Sequence, residues 1–170
     1  NMARGLVGGL IKSGIAPKSI IVSDPDENIR QALAADFSIQ TSANNSSVAD
    51  VADTLVLAVK PQVMQCAIED IAEKLVQRQP LIVSIAAGIT IASIESWAGS
   101  SLSLIRVMPN TPALTGNGAS GMYANQLVSK SQRAQAQKIM EAIGIAVWVD
   151  DESLIDTVTA VSGSGPAYFF

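Results

Sequence analysis

A doubly wound α/β fold, with a Rossmann-like and mostly parallel sheet, is predicted by three features of this chain. Strand-sized apolar runs alternate with helix-length segments from one end to the other. The strongest run, Leu55-Val56-Leu57-Ala58-Val59, is apolar throughout, as parallel strands covered on both faces are. The connections are short, which suits repeated β–α units with helices on both sides of one sheet.

The elements follow in order. Met2 to Ser13 reads as a helix ended by Gly14, and Ile20 to Val22 as a short buried strand. Glu27 to Asp36 is a second helix, Ile39 marks a short strand, and Asn45 to Ala52 suits a brief helix. After the strand at Leu55 to Val59, Pro61 to Lys74 is helical, with Val63, Ala67, Ile68 and Ile71 along one face. Leu81 to Ile85 is the next strand, Ile91 to Trp97 the next helix, and Leu104 to Met108 the next strand. Gly118 to Ala124 and Ala146 to Val149 extend the sheet around a helix from Gln132 to Ile143. From Glu152 onward the pattern is helical, so residues 1–150 read as one dinucleotide-binding domain and 151–170 as the start of a helical one.

Composition narrows the function. The 170 residues are 48% hydrophobic, enough for one domain with a substantial core. A net charge of −4, without a Lys/Arg cluster, argues against a nucleic-acid partner, whose phosphates need neutralising. The apolar runs are too short to span a bilayer. One cysteine, Cys66, allows no internal disulfide and fits a reducing, cytoplasmic compartment; its place within a helix reads as packing. With no histidine, a zinc site or a Ser-His-Asp triad is a poor reading, and no metal is expected.

A dinucleotide site begins with a strand, a Gly-rich turn and a helix whose N-terminus faces the pyrophosphate. This chain begins with the helix. The missing strand would be central, between Ile20–Val22 and Leu55–Val59, and without it the sheet should divide into two parts with unpaired edges. Asn1, Met2 and Ala3 would then close a G-x-G-x-x-A fingerprint, and Gly5, Gly8 and Gly9 suit close packing of that helix. Asp24 ends the next strand, where an acidic residue bonds the adenosine ribose. It equally suits a helix N-cap, with Pro25 first in the helix and Glu27 closing a capping box. No arginine stands beside it in sequence to welcome a 2′-phosphate, and Ser23 suits either cofactor, so NADPH and NADH both stay open.

Three segments lie where strands end, which is where open α/β sheets bind ligands. They are Ala58-Val59-Lys60-Pro61, then Ser84-Ile85-Ala86-Ala87-Gly88, then Arg106-Val107-Met108-Pro109-Asn110-Thr111-Pro112. Proline fixes the first turn, small residues let backbone approach a flat ring in the second, and two prolines stiffen the third. Each alone fits an ordinary turn as well as a binding site. Their order, followed by Val161-Ser162-Gly163-Ser164-Gly165-Pro166-Ala167-Tyr168, resembles the pyrroline-5-carboxylate reductase family across essentially the whole chain.

That resemblance implies reduction of the cyclic imine 1-pyrroline-5-carboxylate to L-proline by NADPH or NADH. It implies cofactor contacts from Asn1, Met2, Ser23, Asp24, Asn45, Ala58, Val59, Lys60 and Pro61 on the adenosine and pyrophosphate side. Ile85, Ala86, Ala87 and Gly88 would lie nearer the nicotinamide, with Met108, Pro109 and Asn110 at the hydride-transfer face. Ser164, Gly165 and Pro166 would lie toward the substrate, at the entry to an all-helical domain that builds the substrate pocket and a homodimer or higher homo-oligomer. No catalytic acid is carried over, and residues 1–170 by themselves are expected to show no turnover. The rival readings are another enzyme on this scaffold, such as a β-hydroxyacid dehydrogenase relative, and a non-catalytic dinucleotide-sensing module.

Overall fold

A computed structural model describes residues 2–164; Asn1, Gly165 and Pro166 lie outside the described residues. Helix α1 (Met2–Lys12) leads to β1 (Ile21–Ser23), α2 (Glu27–Phe37), β2 (Gln40–Ser42) and α3 (Asn45–Ala49). There follow β3 (Thr54–Leu57), α4 (Pro61–Arg78), β4 (Leu81–Ser84), α5 (Ile91–Ala98) and β5 (Leu104–Met108). A 3₁₀ turn at Thr111–Thr115 precedes β6 (Gly118–Ala124), α6 (Lys130–Glu141), β7 (Gly144–Trp148) and α7 (Leu154–Val158). A π-helical turn, Thr159–Ser164, continues from α7.

The caps explain most of these limits. Pro61 opens α4 at its first turn, where a missing N–H costs nothing, and α4 runs one turn past its expected end before Gln79 closes it at φ 48°. Thr90 caps α5 and Gly99 ends it at φ 66°. Ser129 and Gln132 form a reciprocal capping box at the start of α6. The expected cap of α2 is corrected: Asp26, not Asp24, accepts from Asn28 N–H, and the helix starts at Glu27. Asp24 instead accepts from Asp26 N–H at 2.9 Å, making an Asx turn that carries the chain through Pro25 into the true cap.

Strands β3, β4 and β5 are parallel neighbours, β6 is antiparallel to β5, and β7 is parallel to β6. Both faces of this sheet are covered. Ile82 and Leu104 pack against Met64, Ile68 and Leu75 of α4 and Ile94 of α5. Leu81, Val83, Ile105 and Val107 pack on the other face against Leu6 of α1 and Ala136 and Met140 of α6. Alternate residues of one strand thus serve two separate cores, as a continuous apolar strand requires.

β1 and β2 form a separate parallel pair. The expected division into two parts is what the structure shows: β1 pairs only with β2, and β3 only with β4, among the described residues. A cavity of about 890 Å³ is lined by the starts of both open-edged strands, Ile20 and Ile21 on one side and Asp53 and Thr54 on the other. Leu10 of α1 and Ala134, Gln135 and Ile139 of α6 complete its wall. Thr54, Leu55 and Val56 are only half-buried, whereas all four residues of β4 are buried. Amide hydrogen exchange should therefore be faster in Ile21–Ser23 and Thr54–Leu57 than in Ile82–Ser84, whose strand is paired on both sides. Equal protection in the two sets would show that the open edges are covered in solution.

Candidate functional site

Two of the parallel strands end together. Leu57 of β3 pairs with Ser84 of β4, and Ser84 with Arg106 of β5, so the residues after β3 and β4 start from one level of the sheet, while β5 runs two residues further to Met108. Ala58, Val59 and Lys60 are exposed there, leading into the N-terminus of α4. Ala86 is buried while Ala87 and Gly88 are exposed. Gly88 takes φ +74°, and a Cβ built on it meets nothing within 4 Å. The glycine is thus required by the turn's backbone and leaves open space over the peptide. At this same level Ser84 Oγ is buried without a hydrogen-bond partner among the described residues. Of the third segment, Pro109 is buried, Met108 and Asn110 are half-buried, and Thr111 and Pro112 start the 3₁₀ turn.

Asn110 is occupied from within the protein. Its Oδ1 accepts from Ala119 N–H at 2.9 Å, and its Nδ2 donates to Ser162 Oγ at 3.1 Å. Its amide therefore ties the end of β5 to β6 and to the π-helical turn. A Cβ on Gly163 would lie 2.7 Å from Met108 Cε, so that turn also packs closely against the same loop.

Behind this loop lies a buried cation. Arg106 is 2% exposed, on the sheet face that α5 covers. Its Nη2 reaches Asp156 Oδ1 at 2.6 Å and its Nη1 reaches Glu152 Oε1 at 3.3 Å. The same Glu152 oxygen accepts from Ile91 N–H at 2.9 Å, at the N-terminus of α5. One carboxylate thus serves both the guanidinium and a helix end, which satisfies an otherwise orphaned donor. Beside it, the Ser153 hydroxyl, and then its backbone N–H, hold the Asp151 carboxyl below the usual aspartate range.

The expected adenosine side, around Asp24, contains an arginine that linear proximity misses. Arg30 lies on α2, and its Nη1 donates to the carbonyls of Asp24 at 2.7 Å and Pro25 at 2.9 Å. The expectation that no arginine stands beside Asp24 is corrected by the fold, because one turn of α2 brings Arg30 back over the loop. A second displacement occurs at α3. Asn44 caps this helix by accepting from Ser46 and Ser47 N–H, and Asn45 is its first residue. Met2 begins α1, half-buried against the core on the α6 side. Among the described residues no cluster of three His, Cys, Asp or Glu side chains is placed to hold a metal ion. No helix among them is long and apolar enough to cross a membrane.

A family model described as "NADP oxidoreductase coenzyme F420-dependent" matches residues 1–88, just over half of the chain. The chain belongs to this NADP oxidoreductase family. The match takes in α1, the Asp24 turn, Ala58–Pro61 and Ile85–Gly88, the cofactor half of the family's expected site. Similarity to named enzymes runs further. The chain is 51% identical over 170 residues to a pyrroline-5-carboxylate reductase of Pseudomonas aeruginosa. It spans 62% of that relative's length. The structure of a pyrroline-5-carboxylate reductase from Coxiella burnetii matches with a TM-score of 0.96 at 38% identity, covering 99% of this chain and 63% of that one. A pyrroline carboxylate reductase from Plasmodium falciparum, solved with NADP bound, matches with a TM-score of 0.85 at 28% identity, covering 99% and 61%.

Proposed function

We propose that this chain is the dinucleotide-binding part of an enzyme that reduces the C=N bond of 1-pyrroline-5-carboxylate to L-proline with NADPH or NADH. The carrying observation is that similarity to pyrroline-5-carboxylate reductases extends over all 170 residues, through the segments that gather at the carboxyl ends of the sheet. The residues fit a dinucleotide. Gly88 leaves its peptide uncovered, and the N-terminus of α4 follows the exposed residues Ala58 to Lys60, a setting suited to negative charge. When bound there, the cofactor supplies the hydride.

The chain's own part is positioning. Lys60 and Pro61 set the entry to α4 on the pyrophosphate side, and Ala86, Ala87 and Gly88 give a small-residue floor for a flat ring. Met108 and Pro109 form the neighbouring wall, with Asn110 bracing it from behind. Holding donor and acceptor carbons in contact accounts for much of the rate such a site supplies. A protonated imine is a good acceptor, so neither a metal nor a covalent nucleophile is called on. No catalytic acid is assigned among these residues. The same reading carries a cytoplasmic location, a homo-oligomer, and a domain change near residue 150, where the sheet gives way to α7.

The test uses the complete gene product with NADPH or NADH and 1-pyrroline-5-carboxylate. Loss of cofactor absorbance matched by proline formation is expected; bound cofactor without proline would overturn the substrate assignment. Cofactor choice gives a second expected result. Arg30 is placed to pair with a 2′-phosphate, and a charge-assisted hydrogen bond contributes about 1.5–3 kcal/mol, roughly ten- to hundredfold in affinity. Arg30→Ala should raise KM for NADPH by that factor while changing KM for NADH little. An unchanged ratio would leave Arg30 only its role of bracing the Asp24–Pro25 carbonyls.

A further inference from the structure

Strand β5 and the loop that leaves it hold the segment after β7 at three successive alternate positions. Arg106 pairs with Glu152 and Asp156, Met108 packs against Gly163, and Asn110 donates to Ser162. These three residues lie two apart, so the pairing is a ladder running toward the carboxyl end of the strand. Between its rungs, Val158 sits on Gly121, where a Cβ would approach Val158 Cγ2 to 2.8 Å. The ladder ends in the π-helical turn Thr159–Ser164, a rare geometry that is frequent at functional sites.

We infer that Arg106 is a positioning residue, which acts through Glu152 and Asp156 to fix the 152–164 segment over the nicotinamide end of the crevice. Arg106 is 2% exposed and spends its guanidinium on Glu152 and Asp156, so its role here is to position the segment. Its two Nη atoms engage two turns of the segment at once, which sets the segment's rotation as well as its distance. Glu152 passes the same constraint to α5 through Ile91 N–H. The loop and the segment therefore move as one body. The turn at Ser162 and Gly163 is held against Asn110 and Met108 with the help of a cation buried on β5, while Asp24 and Arg30 stand apart from this ladder. The inference rests on the proposed function for the nicotinamide end and for the NADPH and kinetic arms, and its exchange arm stands without that reading.

The experiment compares wild type with Arg106→Met, Arg106→Lys and Glu152→Gln in the complete gene product. It reads NADPH affinity by fluorescence, kcat with the imine, and hydrogen exchange across residues 154–163. Arg106→Met should speed exchange in that stretch at least tenfold and lower kcat about ten- to hundredfold, with the Kd for NADPH within threefold of wild type. Arg106→Lys should recover part of kcat. Glu152→Gln keeps an acceptor for Ile91 N–H and is the milder variant; it should move exchange and kcat in the same direction by a smaller factor. Unchanged exchange in 154–163 would overturn the inference, as would an NADPH affinity that falls in step with kcat. Wild type inactive on the imine would instead remove the substrate reading, with the exchange arm still deciding the role of Arg106.

Discussion

Removing both carboxylates that face Arg106, as Glu152→Ala with Asp156→Ala, is expected to cost about 3–5 kcal/mol of stability, and more than removing the arginine itself. The asymmetry follows from burial. The guanidinium is 2% exposed, whereas the side chains of Glu152 and Asp156 are 26% and 65% exposed. If the acids go, a full positive charge stays in the core with no counter-ion, and its Nε already lacks a partner there. If the arginine goes, as in Arg106→Met, both carboxylates can turn to water and an apolar chain of similar length fills the space. That variant should lose only about 1–2 kcal/mol, the scale of the hydrogen bonds forfeited. Urea denaturation of the two variants decides the order. A methionine variant as damaged as the double alanine would mean that the arginine contributes packing that methionine does not replace.

That network also marks where sequence reading stops. The strand at Leu104–Met108 was legible because its alternate residues are apolar and its ends are marked. An arginine in its middle calls for an acid, but nothing in the order of residues says that the acid lies 46 to 50 positions later. The same limit appears at Arg30. Linear proximity says that Asp24 has no arginine neighbour, and one turn of helix provides one. The cap lies two residues past Asp24 because Asp24-Pro25-Asp26 offers two acids, and the choice between them depends on where the Asx turn closes. In contrast, the division of the sheet at β1 and β3 was legible, since it follows from strand order alone. Of the site, the three strand-end segments were legible as motifs. Their internal bonds, above all the engagement of Asn110 with Ala119 and Ser162, were not.

Gly144→Ala should be among the most damaging single substitutions in the chain. Gly144 takes φ +145°, and a Cβ there would lie 2.0 Å from the carbonyl oxygen of Gly118, its partner in the β6–β7 register. Neither the backbone conformation nor the space admits a side chain, so strain and overpacking add, at about 3–5 kcal/mol together. Gly9→Ala isolates the steric part. Gly9 sits in regular helix, but a Cβ would meet Ala142 O at 2.3 Å and Ile143 Cγ2 at 2.9 Å, for about 2–3 kcal/mol. Gly14→Ala isolates the conformational part: φ is +100° with nothing within 4 Å, so about 1–2 kcal/mol is expected. The order Gly144, Gly9, Gly14 in loss of urea midpoint follows from these contacts. A Gly9 variant no weaker than Gly14 would show that α1 can shift away from Ala142. That shift has its own signature under the proposed function, which puts the first turn of α1, at Met2, on the pyrophosphate side. A helix free to move at Gly9 would keep its stability and lose NADPH affinity, whereas a helix held in place would lose stability first.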